Sequence, residues 1–243
     1  MGLLSISPIG EMFSDVRLLF YMDRETSVPT WFATILLFCL FGMATFIAII
    51  STFVQNVYAA RWRWLSFIFL LMSVEEVAGF REAFITPQLR ELFDLSGIFF
   101  FGWVIPIGAL TLIFIGVYAE FIWKLPKNIR NFFAVGMTIY IVGAIGIELI
   151  SAYVIAEDSI LTLERGAIYN RVTFVEEVFE FTGAIMMLHA LLLYTFHYTL
   201  PTIREIEITN SAKWLQVWFV YRRDVLIITT ILLIGLFALL IIH

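Results

Sequence analysis

The residues able to do chemistry in this chain are glutamates placed where glutamates are costly. Residues 172–189 read VTFVEEVFEFTGAIMMLH and put Glu176, Glu177 and Glu180 at the head of a run apolar enough to cross a membrane. A charge at the centre of a spanning helix costs about 2.5–3.5 kcal/mol on insertion scales. Glu75, Glu76 and Glu82 stand in a second such run, and Glu148 in a third. Acids gathered in this way can hold a divalent cation, since all-oxygen ligands suit Ca²⁺, Mg²⁺, Mn²⁺ or iron. They can share protons, because like charges at short range do not all ionise. In a third case Arg81, beside Glu82, pairs with its neighbours and the set is a structural lock.

Composition says what must carry these side chains. Of 243 residues, 61% are hydrophobic and 14% charged, with mean hydropathy +0.95. Soluble domains run at about 45–50% apolar and about 25% charged, so the fold class is an all-α polytopic membrane bundle. Net charge is −5 with no basic block, which argues against a nucleic-acid partner. The single cysteine, Cys39, excludes an intrachain disulfide and a cysteine-based metal site.

Six spans are expected, at about 31–54, 63–85, 97–122, 131–155, 173–200 and 225–242, each near the ~20 residues a bilayer requires. They form one integral domain. Residues 1–28 are an interfacial segment, 29–200 a five-span bundle carrying the acids, and 201–243 an interfacial helix with an anchor span. Residues 9–22 place Met12, Phe13, Val16, Leu19 and Phe20 on one helical face, as an amphipathic helix lying on the bilayer does. Trp214, Trp218 and Tyr221, followed by Arg222 and Arg223, suggest a second such helix. Ser27 and Pro29 form a helix-start signal, and Trp103 and Trp123 mark the ends of the third span as belt residues.

Basic residues set the orientation. Arg61, Arg63, Lys124, Lys127, Arg130, Arg204, Lys213, Arg222 and Arg223 follow spans one, three and five, outnumbering those on the other side. The positive-inside rule then puts both termini outside. With that topology the acids of spans two, four and five all fall in the outer half of the membrane, the deepest about 12–15 Å below its edge. Glu176, Glu177 and Glu180 lie within about 100° of helical arc. Glu75 and Glu82 share a face with Gly79 between them, and Gly143, Gly146 and Gly183 are expected to permit close packing at the same depth. Glu75, Glu76, Glu148, Glu177 and Glu180 are the candidate cation or proton site, with Glu82, Glu176, Arg81 and His189 as secondary members. Glu82 and Glu176 can also be read as plain interface residues. His189, nine residues past Glu180, turns to the opposite side and lies about 13 Å deeper, as a packed residue would. No Glu-x-x-His pair, the usual mark of a helical di-iron site, occurs in the chain.

At these residues the chain resembles a family of polytopic bacterial membrane proteins to which no activity is attached. The likeness covers about residues 23–200. It rests on Pro29-Thr30-Trp31 before the first span and on the run from Ser73 through Glu75, Glu76 and Ala78 to Arg81 and Glu82. It continues in Gly143-Ala144-Ile145-Gly146-Ile147-Glu148 and in Glu176-Glu177 with Glu180 and Gly183. The resemblance implies a bacterial inner-membrane location and supports the acid site, but it implies no reaction. This chain departs from it at Arg81, where the family tends to have His. Arginine ligates no metal and neutralises a carboxylate by itself.

Ion- or proton-linked transport is the favoured function, because carboxylates facing a bundle interior mark ion routes. A carboxylate-metal oxidoreductase on a lipid or quinone is the alternative, with Phe80, Phe179 and Phe181 as an apolar wall. A non-catalytic subunit or assembly factor is the third reading. Lipids are the expected surroundings, and a homo-oligomer or a larger membrane complex the expected assembly.

Overall fold

The computed structural model describes residues 27–81, 85–156 and 162–207. Among them every regular element is helical. Helix α1 (Val28–Phe53) begins where the Ser27 and Pro29 signal places it. The buried Ser27 Oγ accepts from the Thr30 N–H at 3.3 Å, satisfying one of the donors that a helix start leaves open. A short turn at residues 54–58 leads into α2 (Ala59–Ala78), which runs back antiparallel along α1. Hydroxyl contacts clip the pair along its length: Ser73 Oγ donates to the Thr34 carbonyl at 3.1 Å, and Thr45 Oγ1 meets Ser66 Oγ at 2.6 Å. Arg63 Nη1 donates to Thr52 Oγ1 at 3.1 Å near the turn.

After α2 come a short amphipathic helix α3 (Thr86–Phe93), a 3₁₀ turn (Gly97–Phe99) and α4 (Val104–Lys124). Helix α5 (Lys127–Ile141) continues through a π-helical turn (Val142–Ile147) into α6 (Glu148–Ala156). Helix α7 (Thr162–Tyr194) runs antiparallel to this composite rod, then passes through a second π-helical turn (Thr195–Thr199) into α8 (Leu200–Glu207). Among the described residues four helical rods are long and apolar enough to cross a membrane: Val28–Phe53, Val104–Lys124, Lys127–Ala156 and Arg165–Ile203. Their outward faces agree, since Trp31, Ile35, Leu110, Leu112, Ile113 and Phe196 are all exposed. Apolar surface of that extent is stable in hydrocarbon rather than in water.

Among the described residues, which include five of the six expected spans, four are matched by rods of this kind. The second, expected over 63–85, stops at Ala78, and α2 carries Arg61, Arg63, Glu75 and Glu76, too many charges for its length. The sixth span and the two interfacial helices, at 9–22 and around 214–223, lie outside the described residues. So does Glu82.

The apolar core fills the end of the bundle near the α1–α2 turn. Leu40, Ile47, Trp62, Phe121, Phe133 and Leu191 are all nearly inaccessible there. Trp62 stands edge-on to Phe121, ring centres 4.9 Å apart, and 5.0 Å from Tyr194. The acids occupy the opposite end.

What brings α5 and α7 together at that end is a seam of glycine. A Cβ on Gly183 would stand 2.6 Å from the Gly136 carbonyl and 2.6 Å from the Tyr140 nitrogen. One on Gly136 would stand 2.8 Å from the Gly183 carbonyl. Seven residues further along, Gly143 receives the turn of α7 that carries the acids: its Cβ would meet Phe179 Cβ at 2.9 Å and Glu180 Cγ at 3.2 Å. Gly143 and Gly183 thus make the close contacts expected of them. Gly146 does not, its nearest neighbour being Val142 Cγ1 of its own turn at 3.7 Å, and Gly136 takes its place in the seam. Gly183→Ala should lower stability by about 1–3 kcal/mol through overpacking, read as a lower denaturation midpoint in detergent, whereas Gly146→Ala should leave the midpoint unchanged.

Candidate functional site

Three segments deliver the acids: the last turn of α2, the α5–α6 rod and the first half of α7. At the end of α2, Gly79 takes the left-handed conformation (φ 56°) and its N–H closes on the Glu75 carbonyl at 2.9 Å. A residue without a Cβ ends a helix this way at least cost. Gly79 thus terminates α2. The reversal folds Arg81 back onto Glu75. Arg81 Nε lies 2.6 Å from Glu75 Oε2, and the Arg81 backbone N–H donates to Oε1 at 3.2 Å. Both oxygens of Glu75 are engaged by one residue.

Trp103, at the entry to α4, lies under the other face of this pair. Its ring centre is 4.4 Å from Arg81 Cζ, near enough for a cation–π contact. Trp103 is 2% exposed, so it is a buried support and not the belt residue expected. Trp123 does match that expectation, being well exposed, with Arg130 over its ring at 4.4 Å.

On the α5–α6 rod the π-helical turn ends immediately before Glu148. A π turn accommodates an extra residue, which advances everything after it by about 100° around the axis. That phase brings Glu148 to α7. The Glu148 side chain faces that of Glu176, and Ser151 Oγ, one turn on, donates to Glu176 Oε2 at 3.5 Å. Carboxylate oxygens only accept, so two carboxyl groups facing each other form a hydrogen bond between them only when one carries a proton. Glu180 lies within electrostatic reach of Glu76, Glu177, Arg81 and Glu148. Tyr140, on α5, faces Glu180, Glu76, Arg81 and Glu75.

The five acids of the primary candidate set, Glu75, Glu76, Glu148, Glu177 and Glu180, thus come to one layer with Glu176 and Arg81. The acids are partly buried rather than fully so: Glu75 and Arg81 retain 23% and 28% side-chain exposure, and the fully buried polar residues among those described are serines and threonines. Arg81 sits inside the layer, paired with Glu75, as in the third of the cases that the residues left open. His189 is remote from this layer and lies on the exterior of α7, its ring edge-on to Phe132 at 4.9 Å between centres. Phe179 packs on Gly143, and Phe181 stands edge-on to Phe32. Among the described residues no group of three or more acids, histidines or cysteines is arranged to hold a metal ion.

Tyr140, Ser151 and Gly136 belong to the site and were not singled out from the sequence. Ser151 follows Glu148 by three residues and so shares its face, a signal available in the sequence. Tyr140 follows Gly136 by four residues and so lies on the same seam, against Gly183, ahead of the π turn.

The described residues form a helical protein with four rods long and apolar enough to cross a membrane and an acid layer toward one end. Residues 2–195 match the family described as Domain of unknown function (DUF8692), and the chain belongs to that family. No curated protein and no solved structure matches it.

The Arg81–Glu75 contact should be worth more than an exposed ion pair. Arg81→Gln should cost about 1–3 kcal/mol, given that both partners keep some exposure. Trp103→Leu should cost about 0.5–2 kcal/mol. A double-mutant cycle with Glu75→Gln, followed by denaturation midpoints in detergent, should show coupling of about 0.5–3 kcal/mol; additive losses would show that the pair contributes nothing as a pair.

Proposed function

We propose that this protein resides in the bacterial inner membrane with both termini outside, and that its acid layer takes up and releases protons in step with transport. The observation that carries the reading is the placement of Glu148 against Glu176, two carboxyl groups that can bond to each other only by sharing a proton. A group that holds one proton in a carboxyl pair, within reach of Glu177, Glu180 and a fixed arginine, can exchange it without exposing a bare charge to hydrocarbon. Arg81 supports protons over a bound metal. It offsets one carboxylate permanently and cannot itself be a ligand.

The glycine seam supports movement at this site. Two rods held by backbone contact can slide or rotate without tearing large side chains from a core, and a π turn within one of them is a frequent feature of functional sites. Proton flux into proteoliposomes under an imposed pH gradient tests the reading. Glu176→Gln and Glu148→Gln keep the size and hydrogen-bonding capacity of the side chain but cannot exchange a proton. Each should reduce flux by roughly a hundredfold, and wild-type flux in both variants would end the proposal.

A second reading, as a non-catalytic subunit, draws on the Arg81–Glu75–Trp103 contact, which fastens α2 to the entry of α4 and needs no ligand. It predicts that exchanging the charges, with Glu75→Arg and Arg81→Glu together, restores expression lost in either single variant while proton flux is absent from every form.

A further inference from the structure

A cavity of about 610 Å³ opens between α3 and the last residues of α6, well separated in sequence from the acid layer. Its wall carries Arg90, Glu91 and Asp94 from the short helix and its cap, Phe100 from the following turn, and Ile155 and Ala156 from the end of a membrane-crossing rod. Its size suits the headgroup end of a small amphiphile. Opposite charges four residues apart on a helix ordinarily pair. Here Arg90 and Asp94 do not: Asp94 is the cap, turned off the helix in a left-handed conformation (φ 48°), and the Arg90 guanidinium is laid over the Phe100 ring, 3.7 Å from Cζ to the ring centre. No ion pair joins Arg90 to Glu91 or Asp94 among the described residues. The cavity therefore presents a cation and two carboxylates side by side, each open to a ligand of opposite sign.

Depth and surroundings identify the kind of ligand. The pocket lies at the very end of the Lys127–Ala156 rod, where a crossing helix meets the headgroup layer. Beside it Leu92, Phe93, Ile98 and Phe99 stand exposed on α3 and the turn that follows. A short helix with charges on one side and such residues on the other rests in the interface and brings acyl chains to its flank.

We propose that this pocket binds the headgroup of a zwitterionic phospholipid bearing a phosphodiester and a primary ammonium, as in phosphatidylethanolamine. Arg90 takes the phosphate, through the planar donor fork that suits it. Glu91 and Asp94 accept from the ammonium, which offers N–H donors to both. A quaternary ammonium has no N–H to give and is held by open aromatic faces. The aromatic face here, Phe100, is already covered by Arg90, so phosphatidylcholine is excluded by the same geometry. An anionic headgroup without an amine leaves both carboxylates unanswered.

Native mass spectrometry of the full-length protein in detergent provides the test. The protein is offered equal amounts of phosphatidylethanolamine, phosphatidylcholine and phosphatidylglycerol with identical acyl chains. The wild type should retain phosphatidylethanolamine several-fold over the other two, and Arg90→Gln and Asp94→Asn should each remove the preference without moving the denaturation midpoint. Asparagine is chosen at 94 because the residue there is left-handed (φ 48°), a conformation asparagine tolerates. Should either variant fail to fold, Glu91→Gln on the exposed side of α3 carries the same expectation. Soluble phosphoethanolamine in excess should not displace the lipid. Equal retention of the three lipids, a preference for phosphatidylglycerol, an unchanged preference in the folded variants, or displacement by the soluble headgroup would each overturn the proposal.

Discussion

The acid layer depends on one contact: the backbone-to-backbone approach of α5 and α7 along Gly136, Gly183 and Gly143. In a bilayer the hydrophobic effect does not drive helices together, so close packing of small residues and hydrogen bonds between helices must. Here the two seam positions on α5 and its π turn are seven residues apart, and the second receives the turn of α7 that begins at Glu176. Any side chain at Gly143 would push on Phe179 and Glu180 directly. The same contact that closes the bundle therefore sets the depth and spacing of its carboxyl groups.

Around that seam the molecule divides by polarity along its length. Large aromatics and leucines fill the end near the α1–α2 turn, where Trp62, Phe121 and Tyr194 interlock. The other end keeps partly buried polar groups and sets several of them against a polar neighbour: Arg81 for Glu75, Glu148 and Ser151 for Glu176. Removing polar groups from water costs most when they lack partners. The break in α2 belongs to this arrangement, because a helix continuing through Gly79 would carry Arg81 away from Glu75.

Much of this was legible in the residues. Apolar runs of spanning length located the four crossing rods, and Ser27 with Pro29 marked the start of α1. Acids recurring at one depth in three segments indicated that α2, the α5–α6 rod and α7 meet there. What sequence could not supply was phase and interruption. Glycine reads alike as a packing notch and as a terminator: both Gly79 and Gly146 were expected to be notches, whereas Gly79 ends α2 and Gly146 makes no close contact with another helix. A run such as residues 142–147 gives no sign of a π turn, yet that turn decides which way Glu148 faces. Trp103 looked like a belt residue because span ends attract tryptophan, and only the fold of residues 79–81 places a guanidinium over it.

A proton held between Glu148 and Glu176 is the centre of the proposed function, and infrared spectroscopy observes it directly. Reconstituted protein at neutral pH should show the C=O stretch of a protonated carboxyl group, shifted on exchange into heavy water and absent from Glu148→Gln and Glu176→Gln alike. A spectrum containing only ionised carboxylate bands, or a protonated band that survives both substitutions, would contradict it.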